Sequence, residues 1–144
     1  MAKRQPFDLG RQHQAVLIGP YGRIDMPKVT SFRCKQKVKK EEVTPLNSPP
    51  EEQHIPQGWE GSFELVRTGR GIEDTFSRME REFWAGTPIP YSTLYTYFAE
   101  RDGSVTAYVY ENVSIALEDS GDMKASESIK QVISFSASER NPLS

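Results

Sequence analysis

The chain has little of what covalent, metal or catalytic chemistry needs. Its 144 residues include a single cysteine, Cys34, so no disulfide can form within it and packing must do the work. Cys34 itself reads as a strand residue of moderate burial, with no motif beside it that would make a catalytic thiol. The two histidines, His13 and His54, lie far apart with no second Cys or His at ligand spacing, so each reads as a surface histidine and no metal or cofactor is expected. No stretch approaches the roughly 18 consecutive apolar residues of a membrane span, and no apolar run follows the polar start Met1 to Pro6. The expectation is a protein made and folded in a cytosol. A formal charge of -2 excludes a globally basic nucleic-acid binder. Thr68-Gly69-Arg70-Gly71 precedes a helix but lacks the Gly-Lys-Ser/Thr ending of a phosphate loop. The acids Glu118, Asp119 and Asp122 fall in a flexible loop with no apolar shell to raise a pKa, so no catalytic residue is assigned.

What is present is β-pattern. In the C-terminal third, Val105, Ala107, Val109, Val113, Ile115 and Leu117 share one parity, and Ile129 to Ala137 repeat the alternation after a loop at 118–128. Both faces of these strands carry apolar residues, including tyrosines and Val132, which is more than one solvated face requires. The second face reads as a surface that meets another protein.

Upstream, 1–12 reads as an adaptable arm broken by Pro6 and Gly10, 14–18 as a short strand, and 29–43 as a long one with Lys35, Lys37 and Lys39 on one face. The next strand, 59–68, brings Glu60 and Glu64 within reach of those lysines, a ladder worth about 0.2–1 kcal/mol per pair. Between them 44–58 shows neither period and contains Pro45, Pro49, Pro50 and Pro56. It reads as an extended loop, long enough to need a reason, with Leu46 and Ile55 as apolar anchors and Glu51 and Glu52 beside them. A floppy insertion is the bland alternative. Residues 72–85 read as the one helix. Ile72, Phe76, Met79 and Phe83 form its core stripe, Glu73 and Asp74 favour its first turn, and Gly86 and Pro88 end it. Asp102-Gly103 turns the hairpin between 91–101 and 104–110. The sum is one domain over 1–144, mainly β, a sandwich or barrel with one flanking helix and a long loop.

The segment TAYVYENVSIALEDSGDMKASESIKQVISFSASER resembles the end of tail tube proteins from bacteriophages with contractile tails. The resemblance rests on the Asn112-Val113 step, the polar loop 119–126 and the alternating strand Val132 to Ser136. The helix IEDTFSRMEREFWAG and the loop before Trp59 occupy the places of that family's helix and ring-stacking loop, and in pattern the likeness covers the chain from about Val29 onward. It implies a structural, non-enzymatic subunit that assembles with itself into hexameric rings, stacked into a hollow tube inside a contractile sheath. The implied partners are tail sheath, tape measure, baseplate and tail terminator proteins. DNA would pass through the lumen without specific binding, and no membrane insertion is implied. The implied location is the virion, with assembly in the host cytoplasm. The stacking loop would be Leu46, Glu51, Glu52 and Ile55. Because lumens of this family tend to be acidic, Glu118, Asp119, Asp122 and Glu127 are candidates for lumen or ring-edge charge. The same fold serves type VI secretion and R-type bacteriocin tubes, which stay open as alternatives. A nucleic-acid-binding β-module built on the lysine strand, and an enzyme assembled from unrelated loops, are the readings from other classes.

Overall fold

The computed structural model describes residues 13–24, 26 and 28–143. Within them the order is β1 (His13–Gly19), β2 (Gly22–Ile24), β3 (Val29–Val43), β4 (Glu51–Val66), α1 (Gly71–Trp84), β5 (Ser92–Ala99), β6 (Val105–Asp119), β7 (Lys130–Ala137) and β8 (Glu139–Pro142). The chain is mainly β, as its alternation requires, and every strand pairing is antiparallel. The expected arm 1–12 and the side chain of His13 fall outside the described residues.

Two sheets share β6. The first runs β2-β1-β5-β6 with β8 on the far side of β6, and the second runs β6-β7-β4-β3. β6 changes sheets at a bulge, where it takes three residue steps from Tyr110 to Val113 against two on β5 from Leu94 to Ser92. Asn112 makes this possible with φ 53°, the one left-handed non-glycine among the described residues, a conformation that asparagine tolerates better than most. The bulge also overturns the single parity expected for this strand. Before it the core face is Tyr108 and Tyr110; after it the core face is Val113, Ile115 and Leu117. One inserted residue swaps the faces of everything upstream.

The core lies between the sheets. Phe32, Phe63 and Phe135 form a cluster with ring centroids 4.9 to 5.8 Å apart, and Leu17, Leu94, Leu65 and Ile133 are fully buried around it. Each such side chain contributes about 1.5–3 kcal/mol of burial. Gly61 lets β3 lie tight on this cluster, since a Cβ there would stand 1.9 Å from the Arg33 carbonyl oxygen.

α1 closes one end. Ile72 and Met79 are buried and Phe76 packs on the core, as the stripe predicts, but Phe83 is 48% exposed. The stripe leaves the core after Met79, because the contacts of the last turns with the β1-β2 turn are polar. Tyr21 donates its hydroxyl to Glu82 and lies under the Arg78 guanidinium at 3.9 Å. Phe83 instead meets Trp84 edge-on at 5.1 Å. At the other end of the helix, Arg67 donates to Glu73 through Nε at 2.6 Å and Nη2 at 3.3 Å, and the fully buried Gln131 adds Nε2 at 2.8 Å. The Arg67 hydrogen bonds, with Gln131 adding to them against the opposing effect of burial, hold the Glu73 carboxyl below the usual range.

The expected loop 44–58 is corrected. β4 begins at Glu51 and pairs with β3 out to Val43, so the loop is only 44–50 and the rest is a two-stranded ribbon. Both faces of the ribbon are largely in solvent, so no apolar alternation marks it as strand. Pro56 is tolerated because β4 carries a ladder on one side only at that point.

Candidate assembly surfaces

The second sheet buries one face and leaves the other open. Across that open face two cross-strand rows are set by register: Arg33, Ser62, Ser134 and Ala116, then Lys35, Glu60, Ser136 and Ser114. They line an open groove of about 510 Å³ that Glu118 also borders. Its floor is small and hydroxylated, while the charges stand on three strands. Lys35 Nζ meets Glu60 Oε1 at 3.6 Å, which fulfils part of the expected charge ladder. Lys37 Nζ reaches over β4 and donates to Ser136 Oγ at 2.9 Å. Glu64, by contrast, lies opposite Ser31 and meets none of the three lysines.

Both edges of this sheet are open. β3 ends the strand order, and among the described residues β6 from Ser114 to Asp119 pairs only with β7. Three successive antiparallel pairings separate the two edges, so they run in opposite directions. A second copy placed beside the first in the same orientation therefore offers an antiparallel partner at the seam.

Of the four candidate acids, only Glu118 faces the groove. Asp119 ends β6 and accepts the Gly121 backbone N–H at 2.8 Å. Glu127 pairs with Lys124 at 3.7 Å in the loop after β6, where Asp122 also lies. The four do not converge, and the groove carries basic and acidic strands side by side. Sequence reasoning missed Arg33 and the serines 62, 114, 134 and 136 as one surface, for only strand register brings them together.

The ribbon is the second exposed feature. Six successive pairs, from Val38 opposite Pro56 to Val43 opposite Glu51, carry it about 17 Å at strand rise. At its tip Leu46 is 101% exposed. Lys40 pairs with Glu52 at 3.0 Å, Glu51 closes the ladder opposite Val43, and Ile55 alone of the four stacking candidates is half-buried. Where the ribbon leaves the body, β4 bulges at Gly58, whose φ of 102° and close approach to the Ala137 carbonyl suit glycine.

Two further clusters are structural. Arg140 is held between Trp59 and Tyr108, at 4.0 and 4.2 Å from the ring centroids, and ties β8 to the body. Cys34 is half-buried and its Sγ lies 3.5 Å from the Tyr110 hydroxyl. Burial pushes the Cys34 thiol up, and burial with the neighbouring Cys34 pushes Tyr110 to about 12. His54 is exposed on β4 opposite Lys40. Among the described residues no group of three or more His, Cys, Asp or Glu side chains could hold a metal ion, and no helix is long and apolar enough to cross a membrane.

The fold is shared with solved structures. One chain from the sheath/tube terminator of an extracellular contractile injection system, PVC, superposes with a TM-score of 0.68 at 9% identity, over 99% of this chain and 100% of that one. A chain from the tube-terminating cap of the anti-feeding prophage gives 0.64 at 12% identity, over 100% and 95%. The chain has the tail tube fold. A chain from the virion of a native gene transfer agent gives a TM-score of 0.54 at 11% identity, over 96% and 100%. No protein-family model and no curated protein matches the sequence.

Proposed function

We propose that this protein is the structural subunit of a phage tail tube, without a catalytic role. Copies close sideways into a hexameric ring, and rings stack into a hollow conduit for DNA inside a contractile sheath. The observation that carries the reading is the second sheet with its two long open edges of opposite direction. Exposed edges of this length invite aggregation, and closing a sheet from copy to copy abolishes them. A heterologous contact, β3 of one copy on β6 of the next, generates a ring when its rotation closes.

The remaining surfaces take roles consistent with this. The open face of the second sheet becomes the conduit wall. Its serines and mutually neutralising lysine and glutamate offer DNA neither a basic binding track nor an acidic barrier, so transit without specific binding follows. The ribbon, with Leu46 at its tip and Glu51, Glu52 and Ile55 along it, reaches the adjoining ring. The prolines of the 44–50 loop limit the freedom lost on docking. Asp122 and Glu127, on the loop beyond β6, stand at the ring edge. The tape measure protein is assigned to the conduit, the sheath to its outer face, and baseplate and terminator to its ends. The structural neighbours from a sheath/tube terminator and a baseplate support the sheath, terminator and baseplate among these partners. The assigned location is the virion tail, reached after assembly in the host cytoplasm.

Negative-stain electron microscopy of the purified chain across concentration tests the reading. Rings or hollow tubes with sixfold end views are expected. A monodisperse monomer that stays so at high concentration, even after addition of preformed tube ends, overturns it.

A further inference from the structure

We propose that Arg33 of one copy and Glu118 of the next form the ion pair that sets the register of the ring seam. The inference rests on the tube reading and names the contact that closes the ring. Both residues line the same groove, one on each open edge of the second sheet. The other groove charges, Lys35 and Glu60, already pair with each other at 3.6 Å, and Lys37 beyond the groove donates to Ser136 at 2.9 Å. Arg33 and Glu118 have no ion pair among those formed by the described residues. The groove therefore has a basic edge and an acidic edge, each lacking what the other carries.

Strand geometry narrows how they meet. Side chains share a face only at every second residue, so sliding β3 of one copy along β6 of another permits registers in steps of two. Within one sheet the rows align Arg33 with Ala116 and Lys35 with Ser114, and the row of Ser31 ends on β6 at a bulge that holds Glu118 beside Asp119, so a seam that simply continued the rows would set that bulge against Ser31. A closed barrel staggers its strands. One step of stagger sets Glu118 opposite Arg33, Ala116 opposite Lys35 and Ser114 opposite Lys37. That register pairs the two unused charges and puts no like charges face to face. Opposite charges directly across a ladder favour the pairing and like charges disfavour it, and such pairs act mainly by excluding wrong registers.

Two charge reversals test this on the full chain. Arg33→Glu and Glu118→Arg, each shown by circular dichroism to remain folded, are each expected to abolish rings under conditions where the wild type forms them. An equimolar mixture of the two variants is expected to recover rings. Placed alternately, the copies meet at one seam through the two introduced charges and at the next through the two native ones, Arg33 and Glu118. Both kinds of seam set a cation against an anion, so a ring of six closes with every seam matched. Recovery on mixing supports a contact between copies, which a pair within one chain would not give. If either single variant forms rings like the wild type, or if the mixture stays unassembled, the seam assignment is wrong while the tube reading stands. If the wild type itself forms no rings or tubes, the tube reading fails and the seam falls with it.

Discussion

The hairpin of β3 and β4 is one ladder with two halves under different constraints. From Val29 to Gln36 it is packed on one face: Phe32 lies against both Phe63 and Phe135, and Gly61 brings the backbones together over that cluster. From Val38 to Val43 the same ladder continues beyond the core, with charged pairs such as Lys40 and Glu52 on its surface and Leu46 fully in solvent at its end. The first half is held by tertiary burial. The second is held by ladder hydrogen bonds and cross-strand pairs alone, an arrangement that an isolated hairpin sustains only marginally in water. Extending a strand pair into solvent makes sense where another surface receives it, and under the proposed tube function the first half serves folding and the second assembly.

That division predicts sharply different responses to substitution. Phe63→Ala, in the packed half, should cost about 3–5 kcal/mol, because it empties the centre of the aromatic cluster. Chemical denaturation should show the loss as a lower midpoint with an unchanged slope. Gly61→Ala comes next. Its Cβ meets the Arg33 backbone oxygen, which is no flexible side-chain end, so β3 must lift from β4 at a cost of about 1–3 kcal/mol. A melting temperature equal to the wild type would show that the packed half is looser than its geometry.

How far the sequence disclosed this contrast follows from where the apolar residues lie. The bounds of β3, the Asp102-Gly103 hairpin, the pairing of Lys35 with Glu60 and the buried positions of α1 were readable, since each rests on period or on a turn dipeptide that acts locally. The distal part of β4 was not. Glu51 to Gln57 face solvent on both sides, and four prolines between 44 and 58 pointed to a loop, although the ladder to β3 decided otherwise. The switch of parity at Asn112 was hidden for another reason. A bulge adds one residue and leaves the composition unchanged, and only the buried Tyr110, out of step with Val113, betrays it. Phe83 kept helical period but had nothing to pack on. The Arg33 and Glu118 edges were beyond reach, because a shared face across four strands depends on three registers at once.

A smaller and pH-dependent effect separates the body from the ribbon in another way. Glu73 has its carboxyl held low by the hydrogen bonds of Arg67 and then of Gln131, so it binds a proton less readily folded than unfolded. Its contribution to stability is full above the unfolded carboxylate value of about 4.3 and is lost as pH falls through the lower folded value. Wild-type melting temperature should therefore drop more steeply below about pH 4.3 than that of Glu73→Gln, which has no such proton to take up. Parallel acid limbs for the two proteins would remove Glu73 from the linkage between α1 and β7.

The smallest effect on stability, and the one that bears most on the comparison, belongs to the ribbon tip. Leu46 buries nothing in its own chain, so Leu46→Ser should shift stability by less than about 0.5 kcal/mol, the range of surface changes away from special features. If the tip exists to be received by a neighbouring ring, the same substitution should leave single rings intact while reducing their stacking into tubes, seen as short stacks by electron microscopy and slower sedimentation. A measurable drop in monomer stability would instead place the tip within the folding unit and erase the boundary at Gly58. Unchanged stability with unchanged tube length would leave that boundary standing and assign the stacking contact to another part of the ribbon, with the half-buried Ile55 the next position to change.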